Sequence, residues 1–190
     1  KNIIEFQIAG GVDGIVVAGT TGEGSTLTHE EHCQCIDFVV KQVDGRVPVI
    51  AGTGGPCTDK MLRMSWSAKE VGADGLLIVN PYYNKGTDDG VARSYFAAAE
   101  IGLPIILYNV PSRTGLDMPV EVYKRLALLP NIQGVKEAST DITKVARIRQ
   151  ECPQDFHVWS GNDDQAVPVM SLGGQGVISV LSNVVPVETQ

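Results

Sequence analysis

Seven short runs of β-branched and aliphatic residues punctuate this sequence: GIVVA (14–18), VPVIA (47–51), GLLIVN (75–80), PIILY (104–108), IQGVK (132–136), FHVWS (156–160) and GVISV (176–180). They recur every 20 to 33 residues, and the segments between them carry helical periodicity. In THEEHCQCIDFVVKQV, Cys33, Ile36, Val40 and Val43 fall on one face, and in DITKVARIRQE so do Ile142, Val145 and Ile148. Thr28 and Glu31 have the spacing of a capping box at the start of the first of these helices. Strands that are apolar throughout are buried on both faces, and strands separated by helices imply parallel crossovers. The chain therefore reads as seven βα units.

Seven consecutive units without a hairpin fit an α/β fold of the (β/α)8 barrel type. A doubly wound sheet would hold fewer strands in this length and would open with a glycine-rich crossover. Such a barrel typically takes about 250 residues, and this chain has 190. It begins in a helical segment, NIIEFQIAGG, and stops at VVPVETQ, where a helix would follow the last strand. The expectation is one domain over residues 1–190, an incomplete barrel lacking its first strand and its C-terminal helices. A composition with 43% hydrophobic and 19% charged residues suits a globular domain with a sizeable core. The net charge of −7 argues against nucleic acid or an anionic membrane as partner. No apolar run approaches the roughly 18 residues of a membrane span. The opening residues lack the pattern of a signal peptide, which makes the cytoplasm the expected compartment. The four cysteines (Cys33, Cys35, Cys57, Cys152) have no framework spacing, and reduced thiols are expected.

Active sites of such barrels form at the C-terminal ends of the strands. Here those ends read GTTGEG, GTGG, NPYYN, YNVPSRTG, KEAST, SGNDD and SVLSN, a set rich in hydroxyls and glycines with one lysine. Lys136 closes an apolar run, where desolvation lowers an amine's pKa and leaves a neutral fraction able to attack a carbonyl. The alternative is a lysine snorkelling to solvent at a strand end. Tyr108 ends the preceding strand, so in a barrel it lies beside Lys136, where a phenol can shuttle protons for a carbinolamine.

GTTGE, YNVPSRTG and GVKEAS in that order, with NPYY between the first two and GGQGVIS after the third, resemble the dihydrodipicolinate synthases. These belong to the pyruvate-dependent class I aldolase and N-acetylneuraminate lyase superfamily, and the similarity spans essentially the whole chain. The resemblance implies a lyase without metal or other cofactor that joins pyruvate to L-aspartate 4-semialdehyde in lysine biosynthesis. It further implies a homo-oligomer, a tetramer built as a dimer of dimers. It gives Lys136 the imine and Tyr108, Thr20 and Tyr83 a proton relay, Tyr83 reaching into a neighbouring subunit's site. Thr21 with its loop would hold the pyruvate carboxylate, and the main chain near Ile178 would line the same pocket. Arg113 would receive the carboxylate of the second substrate, a task suited to a guanidinium fork. Gly161 would keep the pocket floor open, the alternative being a turn glycine. Relatives that cleave sialic acid usually lack an arginine at the position of Arg113, so it favours aspartate semialdehyde over N-acetylneuraminate or a keto-deoxy sugar acid. A non-catalytic barrel kept as a binding or assembly partner would be expected to have lost the lysine or the relay.

Other signals carry less. HEEHCQC places His29, His32, Cys33 and Cys35 close in sequence, but on a helix Cys33 and Cys35 point about 200° apart, and no metal site is expected. The glycines of GTTGEG and GTGGPC lack the order of a nucleotide-binding loop. Asp163 and Asp164 read as the cap and first turn of a helix, and Trp66 and Trp159 as packing. In lysine-inhibited members of the family the effector lies near the positions of Ser25, His29, His32 and Tyr82, and a glutamate receives its ammonium. Lys60 matches that acid's place, the alternative being Asp59 one residue before it, and with Lys60 there the expectation is weak or absent inhibition by lysine. A lysine titration at fixed pyruvate measures it, and half-inhibition at submillimolar lysine contradicts it.

Overall fold

A computed structural model describes residues 1–190. Helix α1 (Asn2–Ala9) leads into β1 (Ile15–Val17), α2 (His29–Val43), β2 (Val49–Gly52), α3 (Thr58–Glu70), β3 (Gly75–Val79), α4 (Asp88–Ala99) and β4 (Ile105–Asn109). Then follow α5 (Pro111–Thr114), α6 (Val120–Leu126), β5 (Ile132–Glu137), α7 (Ile142–Glu151), β6 (His157–Ser160), α8 (Ala166–Ser171), β7 (Gly176–Val177) and α9 (Pro186–Thr189). All seven strands run parallel in one sheet whose spatial order is the order of the sequence. This is the curled sheet of a (β/α)8 barrel, with β1 and β7 unpaired on their outer edges. Because every strand points the same way, all the C-terminal ends meet on one rim.

The apolar runs divide between two cores, as strands buried on both faces must. The larger lies between sheet and helices and includes Ile36, Leu76, Ile78, Tyr95, Leu107 and Ile148. The smaller lines the concave face, where Leu77, Ile106, Tyr108, Val110 and Ala138 pack with Val16, Ile50, Trp159 and Ile178 beside them. Each fully buried aliphatic side chain contributes about 1.5–3 kcal/mol. Toward the gap between β1 and β7 this face opens into a cavity of about 770 Å³, lined in part by Val16, Ile50, Ile106, Trp159 and Ile178.

One irregularity decides what faces what. Along β4 and β5, Ile105 pairs with Ile132 but Ile106 pairs with Gly134, so Gln133 is an extra residue in the ladder. Beyond this bulge Tyr108 is level with Lys136 and Asn109 with Glu137. Without it Tyr108 would stand beside Val135. Gly134 makes the bulge possible, because a Cβ there would lie 2.1 Å from the carbonyl oxygen of His157.

Several expectations shift on contact with the structure. The capping box of α2 is present: the Glu31 amide donates to Thr28 Oγ1 at 3.2 Å and the Thr28 amide to Glu31 Oε2 at 2.9 Å. The buried face of α2 is His32, Ile36, Val39 and Val43, rotated from the expected one, and Cys33 and Val40 are only half-buried. The last apolar run yields a strand of only two residues, although the Ile178 amide still donates to the Ser160 carbonyl of β6 at 2.9 Å. Trp66 is not core packing: it is 46% exposed, with the Lys69 ammonium 5.0 Å from its ring centroid.

Candidate active site

Lys136 and Tyr108 end neighbouring strands on the concave face and touch. The ammonium nitrogen of Lys136 sits 4.7 Å from the centroid of the Tyr108 ring, and the two residues are 8% and 7% exposed. This excludes the snorkelling alternative, since the lysine's surroundings are the apolar lining of the sheet and not solvent. Burial lowers the Lys136 pKa to about 8, against the pull of the Asp163 carboxylate, which favours the charged form. Tyr108 is pushed the other way: burial raises its pKa, while the positive charge of Arg113 and the hydroxyl of Thr20 partly offset the rise. At neutral pH the pair is an amine with an accessible neutral form beside a phenol that keeps its proton.

The rim loops complete the neighbourhood. Thr20 reaches Tyr108 from the loop after β1, and Thr21 is exposed next to it. Arg113, in the single turn of α5, is exposed and close enough to Tyr108 for its charge to be felt there. Gly161 follows β6, where a Cβ would lie 2.6 Å from the Cβ of Ala138 and 3.2 Å from Cε of Lys136. The close approach of Ala138, with Lys136 just beyond it, restricts this position to glycine. Ile178 borders the concave cluster, and its amide donates to the Ser160 carbonyl at 2.9 Å. Tyr83 stands apart from the group, 87% exposed and with a φ of +71°.

Asp163 and Asp164 stand in the first turn of a helix as expected, but Asn162 and not Asp163 holds the cap position. The Asp163 carboxylate accepts from the Ser179 hydroxyl and from the amides of Val180 and Leu181, at 3.2 and 3.1 Å. It thus ties the end of β6 to the segment after Ile178 while its charge acts on Lys136. Sequence reasoning also passed over Asn109, Glu137 and Lys144, which are buried behind the two reactive residues. A signal for Lys144 was available: with Val145 and Ile148 it falls on the apolar stripe of α7, where a lysine needs a partner. At the HEEHCQC cluster, His29 Nε2 lies 3.6 Å from Cys33 Sγ and 3.4 Å from Ser67 Oγ, and His32 is buried beneath. No three His, Cys, Asp or Glu side chains converge anywhere as metal ligands would. No helix is long and apolar enough to cross a membrane.

An amine and a phenol placed in this way can form an imine with a keto acid. The neutral amine attacks the carbonyl carbon, and the phenol delivers the proton with which the carbinolamine hydroxyl leaves as water. The sequence profile of the "Dihydrodipicolinate synthetase family" matches residues 1–190. A 4-hydroxy-tetrahydrodipicolinate synthase of Lachnoclostridium phytofermentans is 50% identical over 189 residues, which are 98% of this chain and 64% of that one. The enzyme of the same name from Caldicellulosiruptor saccharolyticus is 51% identical over 188 residues, 98% of this chain and 63% of that one. The crystal structure of dihydrodipicolinate synthase from Aquifex aeolicus superposes with a TM-score of 0.97 at 45% identity, covering 99% of this chain and 65% of that one. The chain thus spans a little under two thirds of the length of the proteins it matches.

Proposed function

The chain belongs to the dihydrodipicolinate synthetase family, and on that premise we propose that it joins pyruvate to L-aspartate 4-semialdehyde through an imine on Lys136. Lys136 attacks the pyruvate ketone and water leaves. Loss of a methyl proton turns the imine into an enamine, whose carbon attacks the aldehyde. The amino group of the second substrate then closes the ring and displaces Lys136, giving 4-hydroxy-tetrahydrodipicolinate. Tyr108 and Thr20 carry protons, with Tyr83 of a neighbouring copy completing the relay in a homotetramer. Thr21 and the main chain near Ile178 hold the pyruvate carboxylate, Arg113 receives the carboxylate of the aldehyde, and Gly161 leaves room for the adduct. The reaction belongs to lysine biosynthesis in the cytoplasm.

The observation that carries this reading is the buried contact between Lys136 and Tyr108, with the amine's pKa lowered to about 8. Borohydride reduction of the full-length protein in the presence of pyruvate, followed by mass mapping, tests it. The expected result is one three-carbon unit on Lys136 and on no other lysine. Only the neutral amine attacks, so the initial trapping rate should rise about tenfold per pH unit below pH 8 and level off above it. An adduct on another lysine, or none, overturns the mechanism.

A further inference from the structure

Behind the reactive pair, on the helical face of the sheet, lies a second pair in the same register. Asn109 follows Tyr108 in the chain, Glu137 follows Lys136, and successive strand residues point to opposite faces. Asn109 Nδ2 donates to Glu137 Oε1 at 2.8 Å, and both residues are buried, at 0% and 3% exposure. Every other polar atom of the pair has a partner. Asn109 also donates to Asp117 Oδ1 at 2.8 Å and accepts from the Met118 amide at 3.0 Å. Glu137 accepts from the Ser139 amide at 2.8 Å and from the Tyr123 hydroxyl at 2.9 Å. The buried ammonium of Lys144 supplies the countercharge, 3.6 Å from Glu137 Oε2 and also paired with Asp117.

We infer that Asn109, Glu137 and Lys144 form a positioning clamp that fixes the ends of β4 and β5 level with each other, and thereby holds Tyr108 against Lys136. The inference rests on the imine chemistry proposed above. The ladder by itself leaves this level open to change, because the bulge at Gln133 lies only two pairs below Tyr108 and Lys136 and a register can slip at such a point. A slip by one residue would place Asn109 beside Lys136 and carry the phenol off the amine. It would also separate Asn109 from Glu137, leaving buried polar atoms without partners. The clamp therefore opposes a movement that would uncouple the reactive pair.

A double-mutant cycle in the full-length protein tests this. The readout is exchange of the pyruvate methyl protons for solvent deuterium, which requires the imine and is accelerated by the proton relay. Borohydride trapping of pyruvate by the unaltered protein comes first; without it the imine reading fails, and this inference with it. Given trapping, Asn109→Ala should slow exchange at least tenfold in the presence of Tyr108 and less than twofold in a Tyr108→Phe background. A clamp acting through the phenol has nothing left to act on once the hydroxyl is gone. Equal slowing in both backgrounds overturns the inference, since general loosening of the fold is indifferent to Tyr108. Asn109→Asp, which keeps an acceptor but sets a second carboxylate against Glu137, serves as a second variant should the alanine chain not fold, and the same comparison of backgrounds decides it.

Discussion

Burial moves the pKa of Lys136 from 10.5 to about 8, and at about 1.4 kcal/mol per unit this costs ~3 kcal/mol of folding stability at neutral pH. Between those two values the unfolded chain binds more protons than the folded one, so this group's contribution to stability improves as pH rises from about 8 to 10.5. Below pH 8 both states are protonated and the full cost applies. Lys136→Met should therefore abolish pyruvate trapping and stabilise the protein at pH 7, by up to ~3 kcal/mol. That advantage should shrink through the alkaline range. Urea titrations of both chains across pH measure the difference, and a methionine variant that is no more stable at pH 7 contradicts the penalty. Lys136 and Tyr108 were legible in the sequence because an ammonium and a phenol at the ends of apolar runs break a local pattern. The tie made by Asp163 was not legible for the opposite reason: an acid in a first turn fits a local rule, while its partners Ser179, Val180 and Leu181 lie in another element.

At the scale of elements, periodicity exposed the seven strands and their parallel order, because hydrophobic spacing is a property of the chain itself. Pairing between strands is not. Nothing in IQGVK announces that Gln133 is skipped by the ladder, yet that skip brings Tyr108 beside Lys136. The substitution Gly134→Ala probes it. A Cβ placed 2.1 Å from the His157 carbonyl oxygen cannot be accommodated without moving β5 or β6. The expected result is a destabilisation of about 3 kcal/mol or more and loss of pyruvate trapping in whatever fraction remains folded. Melting curves and trapping yields would show otherwise if the strand can give way. The rotated face of α2 has a similar origin: His32 replaces Cys33 on the buried side, and its burial depends on packing against the end of β2, which helical spacing does not report.

Across the whole molecule, Tyr83 is the one proposed relay residue that stands apart from the others. A tyrosine at a φ of +71° with 87% of its surface exposed keeps strain of about 1–3 kcal/mol, held by the turn bond from the Asn84 amide to the Tyr82 carbonyl at 2.9 Å. A ring that completes a neighbour's relay would explain the arrangement. Mixing inactive Lys136→Ala chains with impaired Tyr83→Phe chains under conditions of subunit exchange should then restore turnover, since a mixed pair contains one site with both groups intact. No gain on mixing would assign Tyr83 to its own site. The strict neighbour-by-neighbour order of the sheet has a further consequence, in time rather than in space. Each strand docks on the one made just before it, so assembly can follow synthesis strand by strand. The contact between Tyr108 and Lys136 can therefore be made once α7 brings Lys144 to Glu137, before β6 and β7 have been translated.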